Sequence, residues 1–235
     1  MRFFFFYIIL FLAPLKLLAQ SNISGIINSY AAVQQIVEDT ACGIQEFIVD
    51  DASPFSVGDT VLIIQMQGAV MQSSTNNANY GDILSIESAG LYENNVIAQI
   101  TGNTIIFAFQ TVNIYNETGS VQIVSRPRYP LGALVNSTLT CLPWDGSKGG
   151  VLYLTSPATL SLVADIDVVG KGFRGGYNYI IPSGYTCNFN TNRDLYAYGD
   201  SSDLAAPKGE GIVAFTSNTE AGRGKQVNGG GGGND

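Results

Sequence analysis

The sequence predicts an all-β chain, a small N-terminal β-sandwich or barrel followed by the start of a Gly-rich β-solenoid (β-helix). Three observations predict it. Short runs rich in Ile, Val and Phe recur between turn residues from about 34 to 124, the spacing of a small sandwich or barrel. Apolar residues alternate in three further runs across 148–176, punctuated by Gly and Pro, as in coils that bury their apolar faces on one another. The 27 glycines include an uncharged run at 229–233, so 229–235 reads as a Gly-rich segment near the front of a longer protein.

In chain order, residues 1–19 carry a positive charge at Arg2, an apolar core at 3–12 and a small-residue end at Ala19 before polar Gln20. That is the layout of a secretory signal peptide. A transmembrane anchor needs roughly 20 consecutive apolar residues, and Pro14 and Lys16 interrupt the run. No later stretch approaches that length, so the mature chain is expected to be secreted or displayed at the cell surface, with no membrane span.

Residues 20–125 read as an acidic β-domain with strands at 45–49, 60–65, 82–86, 95–100, 104–109 and 120–124. Gly102-Asn103 lies between two alternating runs and reads as a two-residue hairpin turn. Around 29–38, Ser29 to Val33 allow a first helical turn while the β-branched tail allows a strand, and both remain open. Residues 126–145 begin Arg126-Pro127-Arg128-Tyr129-Pro130 and read as a linker, because each proline biases its predecessor toward extended backbone. Residues 146–228 read as the start of the solenoid, with strands at 151–154, 159–162 and 166–169 and a related run at 212–215. Within it, 177–207 is a polar insertion holding Tyr177, Tyr179, Tyr185, Tyr196 and Tyr198.

Charge excludes one class of partner. Removal of the signal leaves nine bases against nineteen acids, and no Lys or Arg falls between Lys16 and Arg126. A nucleic-acid surface needs clustered positive charge, so no nucleic-acid partner is expected. Three cysteines allow one disulfide in an exported protein. Sequence does not choose among the three pairings, although a Cys141–Cys187 bridge would tie the long insertion to the start of the coil.

Several phrases carry a family resemblance: PFSVGDTVLIIQMQGA (54–69), LPWDGSKGGVLYL (142–154), ADIDVVGKGFRGG (164–176), GEGI (209–212) and GRGKQVNGGGGGND. From about Pro54 onward the chain resembles the N-terminal region of large exported gliding-motility-associated surface proteins (adventurous gliding motility-like), and its Leu-Ala-Gln signal end is similar to those of Bacteroidetes proteins. The resemblance implies a non-enzymatic secreted or cell-surface protein, a structural spacer or adhesin linked to surface attachment or gliding.

With no histidine in the chain, Ser-His-Asp, Cys-His and the usual His-containing metal sites are excluded. No cofactor or metal is expected. Asp165 and Asp167 lie two apart on a predicted strand, on one face and roughly 7 Å apart at Cα, with Lys171 and Arg174 close behind. A β-helical carbohydrate-active enzyme uses such a carboxylate pair as acid and base. Alternating polar residues on a solenoid face are equally ordinary solvent contacts. The tyrosines of 177–207 offer flat rings for stacking on a surface glycan, or simply cover the open edge of the coil. The phrase GGGGND matches a calcium β-roll repeat only in one copy, and the glycines at 170–176 lack the helix that a phosphate loop requires.

Overall fold

The computed structural model describes residues 20–39, 44–176, 196, 208–214 and 222. These contain eleven strands: β1 (Ser21–Ile26), β2 (Tyr30–Asp39), β3 (Ile44–Val49), β4 (Thr60–Gln65), β5 (Val70–Met71), β6 (Ile83–Ser85), β7 (Tyr92–Thr101), β8 (Thr104–Phe107), β9 (Val121–Ser125), β10 (Ala133–Thr140) and β11 (Leu160–Leu162). The one helical element among the described residues is a 3-10 turn at Glu117–Gly119.

Six strands close an antiparallel barrel in the order β2-β3-β8-β7-β4-β9, with β9 pairing back onto β2. The choice left open by the sequence between sandwich and barrel is thereby resolved, and so is the choice at 29–38, which is strand. Val33, Ile36 and Val37 are β-branched, stiff at χ1 and suited to a pleated surface, and β2 has partners on both sides. Phe47, Val61, Ile63, Ile97, Ile105 and Ile123 point inward and are fully buried, so the barrel is filled by side chains rather than hollow. Gly102 has φ of +59° and joins the paired residues Thr101 and Thr104. Asn103 does not take positive φ. Only the first central residue is left-handed, the II′ pattern. The Asn103 side chain instead donates to the Asp50 carbonyl at 3.0 Å.

A second sheet runs β1-β10-β11, all parallel. Its middle strand, β10, passes through 126–145, the segment that reads as a linker in the sequence. The reason is local: Asn136, Ser137 and Thr138 are exposed and mask the inward row of Ala133, Val135 and Leu139. That row packs with Ile23, Leu152, Leu154, Leu160 and Ala164 in a core separate from the barrel interior. The pairing of β10 with the chain that follows keeps a constant offset of 27 residues. Arg128 bridges Thr155, Ala133 to Val135 pair with Leu160 to Leu162, and Leu139 bridges Ile166. The Trp144 N–H donates to the Lys171 carbonyl at the same offset.

Three predicted strands differ. Residues 151–154 have no ladder of their own and end in the single bridge at Thr155. Residues 166–169 hold only the bridge at Ile166, and 212–214 hold no strand.

Candidate functional site

The extended segment 148–154 is bound to the barrel by side chains in place of a strand ladder. Gln122 on β9, fully buried, donates Nε2 to the Gly149 carbonyl at 3.0 Å and accepts the Gly149 N–H at 2.8 Å. Asn28 does the same for Tyr153, accepting its N–H at 3.2 Å and donating Nδ2 to its carbonyl at 2.5 Å. The Tyr30 hydroxyl donates to the Val151 carbonyl at 2.6 Å, and burial pushes its pKa up to about 12. Lys148 forms an ion pair with Asp50. The bonds from Gln122, Asn28 and Tyr30 satisfy backbone groups that burial would otherwise leave unpaired.

Further along, the chain turns a corner where three stretches meet. Trp144, almost fully buried, meets Phe173 edge-on at 5.6 Å between centroids. Arg174 accepts the Glu210 N–H on its carbonyl at 2.8 Å, and its own N–H and Nε donate to Glu210 Oε2 at 2.9 and 3.0 Å. Burial alone would raise the Glu210 carboxyl, but the Arg174 hydrogen bonds and charge hold it below the usual carboxylate range. Asp145 is held low in the same sense, with burial opposed by the N–H groups of Lys148 and Ser147.

Residues 208–214 then rest on the barrel. Gln67 Nε2 donates to the Gly211 carbonyl at 2.7 Å, and the N–H groups of Gly68 and Ala69 both donate to the Ile212 carbonyl. Gly68 and Gly119 make room beside this contact for the Gln65 side chain, which donates to the Gln67 carbonyl at 2.8 Å. A Cβ at Gly119 would stand 2.1 Å from the Gln65 amide nitrogen and 2.3 Å from the Gln67 carbonyl, and one at Gly68 2.6 Å from that same nitrogen. Lys208 is buried with its ammonium 4.4 Å from the centre of the Tyr80 ring, and desolvation pulls its pKa down to about 8.

Asp165 and Asp167 line an open groove of about 540 Å3 together with Leu162, Val163, Ala164, Ile166 and Val169. Lys171 and Arg174 are not among its lining residues. Asp167 Oδ1 accepts the Val169 N–H at 2.8 Å, so one carboxylate oxygen holds a turn. Tyr196 is half-buried against the cluster of Ala69, Met71, Tyr80, Ala89 and Val213, and its N–H donates to the Thr75 carbonyl. Tyr177, Tyr179, Tyr185 and Tyr198 lie outside the described residues. Cys141 is a free, fully buried thiol beside Tyr30, Leu62 and Val124, its pKa raised by burial, while Cys187 lies outside the described residues. Among the described residues no cluster of three or more Cys, Asp or Glu is placed to hold a metal ion, and no helix is long and apolar enough to cross a membrane.

Sequence reasoning missed Trp144, Glu210, Gln122 and Asn28. The phrases LPWDG and GEGI carry the first two, but nothing in either phrase states that they share a corner. Gln122 and Asn28 are ordinary polar residues in sequence, and only their burial shows their use.

No family model matches the chain, and no curated protein matches it. Among solved structures, the crystal structure of the siderophore-interacting protein SipS from Aeromonas hydrophila is similar over 60% of this chain and 73% of its own, at 10% identity and a TM-score of 0.23. A likeness of that size carries no argument about this chain.

Proposed function

We propose that this chain is the N-terminal part of a non-enzymatic exported surface protein, a spacer or adhesin, in which the barrel braces the first turns of a parallel β-solenoid. The observation behind this reading is the constant 27-residue offset from Arg128–Thr155 to Leu139–Ile166, repeated at Trp144–Lys171. A stack that keeps its register through strands and corner alike is the geometry by which solenoid turns bury their apolar rows on one another. Between Arg174 and Glu210 the separation is 36 residues, so the next contact in the stack accommodates a longer connection. The signal-like segment and the gliding-protein resemblance support a surface location.

The groove carrying Asp165 and Asp167 favours a second reading, a β-helical carbohydrate-active enzyme or a carbohydrate-binding module. Against catalysis, Asp167 is engaged in a turn and Arg174 is held by Glu210. The mature chain is to be screened on a glycan array and incubated with soluble polysaccharides. Binding without cleavage supports an adhesin, and neither binding nor cleavage supports a spacer. Cleavage that is lost in Asp165→Asn would overturn the non-enzymatic reading.

A further inference from the structure

The barrel displays exposed apolar side chains beside the start of β7. Val112 is 90% exposed, Ile114 84%, Phe109 68% and Tyr92 65%. Phe109, Val112 and Ile114 stand on one loop, 109–114, whose backbone is bound along the start of β7, the strand that begins with Tyr92. Asn95 exchanges hydrogen bonds with the Phe109 N–H and carbonyl at 3.3 and 2.8 Å. The Glu93 carboxylate accepts the N–H groups of Val112 and Asn113 at 2.9 and 3.1 Å. Asn113 Nδ2 donates to the Tyr92 carbonyl at 3.2 Å, and Ser88 Oγ donates to the Ile114 carbonyl at 2.8 Å.

The backbone of this loop is therefore pinned by the side chains of Asn95, Glu93 and Ser88, and the loop's own Asn113 holds the Tyr92 carbonyl, while its apolar side chains stand in water. Taking those side chains out of water would lower the free energy of an isolated chain, and the pinning works against such a collapse. Holding apolar groups outward in a fixed arrangement lowers the entropy lost when a partner covers them. Contiguous exposed apolar surface of this kind marks interaction sites.

Charge selects the partner. No Lys or Arg occurs from Gln20 to Ser125, whereas Glu93 binds the loop itself, and Glu87 and Glu117 lie within a few residues of Ser88 and Ile114, which are hydrogen-bonded to each other. We infer that the ridge of Tyr92, Phe109, Val112 and Ile114 is a docking surface for a protein partner whose apolar contact area is rimmed by Lys or Arg. A second copy would set acidic rim against acidic rim, and anionic lipid would be repelled. The inference does not rest on the solenoid reading, since the ridge belongs to the barrel.

The test uses the mature chain and three probes: an amphipathic peptide of Leu and Lys, its Leu and Glu counterpart, and phosphatidylcholine vesicles. The ridge variant is Val112→Ser with Ile114→Ser, which alters only exposed side chains and is checked by an unchanged melt. The Leu/Lys peptide is expected to bind, the double variant to bind it about tenfold more weakly or worse, and the Leu/Glu peptide not to bind. Undiminished Leu/Lys binding by the variant, equal binding of both peptides, binding of the vesicles in preference to the peptide, or self-association abolished by the variant would each overturn the proposal. Should Val112→Ser with Ile114→Ser lower the melt, Val112→Thr with Ile114→Gln is used in the same comparison.

Discussion

Gln122 and Gly149 exchange two hydrogen bonds through one side-chain amide, at 3.0 and 2.8 Å, so a barrel residue completes the peptide groups of a segment outside the barrel. Both partners are shielded from water, and a buried donor or acceptor left alone costs about 1–3 kcal/mol. Gln122→Leu should lower stability to urea by about 2 kcal/mol or more. An unchanged urea midpoint would show that 148–154 is not held by this contact.

The close approach of Gly119 to Gln65 and Gln67 makes it intolerant of a single added carbon. Gly119→Ala is expected to destabilise by about 1–3 kcal/mol, the usual range for overpacking. Gly172, whose Cβ would meet nothing within 4 Å, is the control, and Gly172→Ala should leave the melt nearly unchanged. Equal effects at the two sites would contradict the packing described.

Glu210 titrates below an ordinary carboxylate when folded. Its ion pair with Arg174 therefore contributes stability in full above the unfolded carboxylate value of about 4.3, and that contribution disappears as pH falls through the lower folded value. Melts from neutral pH to pH 2 should show Glu210→Gln less stable than the parent at pH 7, with the two curves converging in acid. Parallel curves across the range would mean that the pair contributes nothing.

Lys208 presents the opposite case for a base. Its pKa is near 8 in the folded chain and about 10.4 unfolded, so below pH 8 folding keeps a charge in a poorly solvated place. Between pH 8 and 10.4 the unfolded chain binds more protons, and stability should rise with pH over that window. Lys208→Met should remove this rise in pH-dependent melts, and a rise that persists in the variant would locate its source elsewhere.

Cys141 should resist iodoacetamide in the native chain and react after denaturation, because it is fully buried among Tyr30, Leu62 and Val124. Mass analysis after denaturation without reductant distinguishes this from the bridge to Cys187 that the sequence suggests. A bridged Cys141 would remain unmodified until reduced.

The barrel was largely legible because its strands alternate and its turns are marked. Residues 60–65 were read with the bounds that β4 takes, and Gly102-Asn103 marked a real hairpin. β10 was hidden for a physical reason. A central parallel strand has partners far away in sequence, and Asn136 to Thr138 interrupt its apolar row with exposed polar groups. The reverse error occurred at 151–154, where Val-Leu-Tyr-Leu has strand composition but backbone groups of Val151 and Tyr153 are satisfied by Tyr30 on β2 and by Asn28 just before it. Periodicity reports which face is buried, not which donor meets which acceptor. The spacing of Asp165 and Asp167 left both a groove and an ordinary solvent-facing surface open, and the contact of Arg174 with Glu210 was not legible, because the two lie 36 residues apart.

Because Ser21 pairs with Ala133, and Ile23 with Val135, the parallel sheet opens before the barrel and is completed after it. Synthesis delivers β1 first, yet its neighbour in the sheet arrives only when all six barrel strands have emerged. Closing so long a loop carries an entropic penalty that early barrel formation reduces by drawing the two ends together, and contacts of such long range are slow to form. The barrel is thus expected to mature first and to act as the template on which the parallel sheet assembles, giving that sheet a defined point of origin.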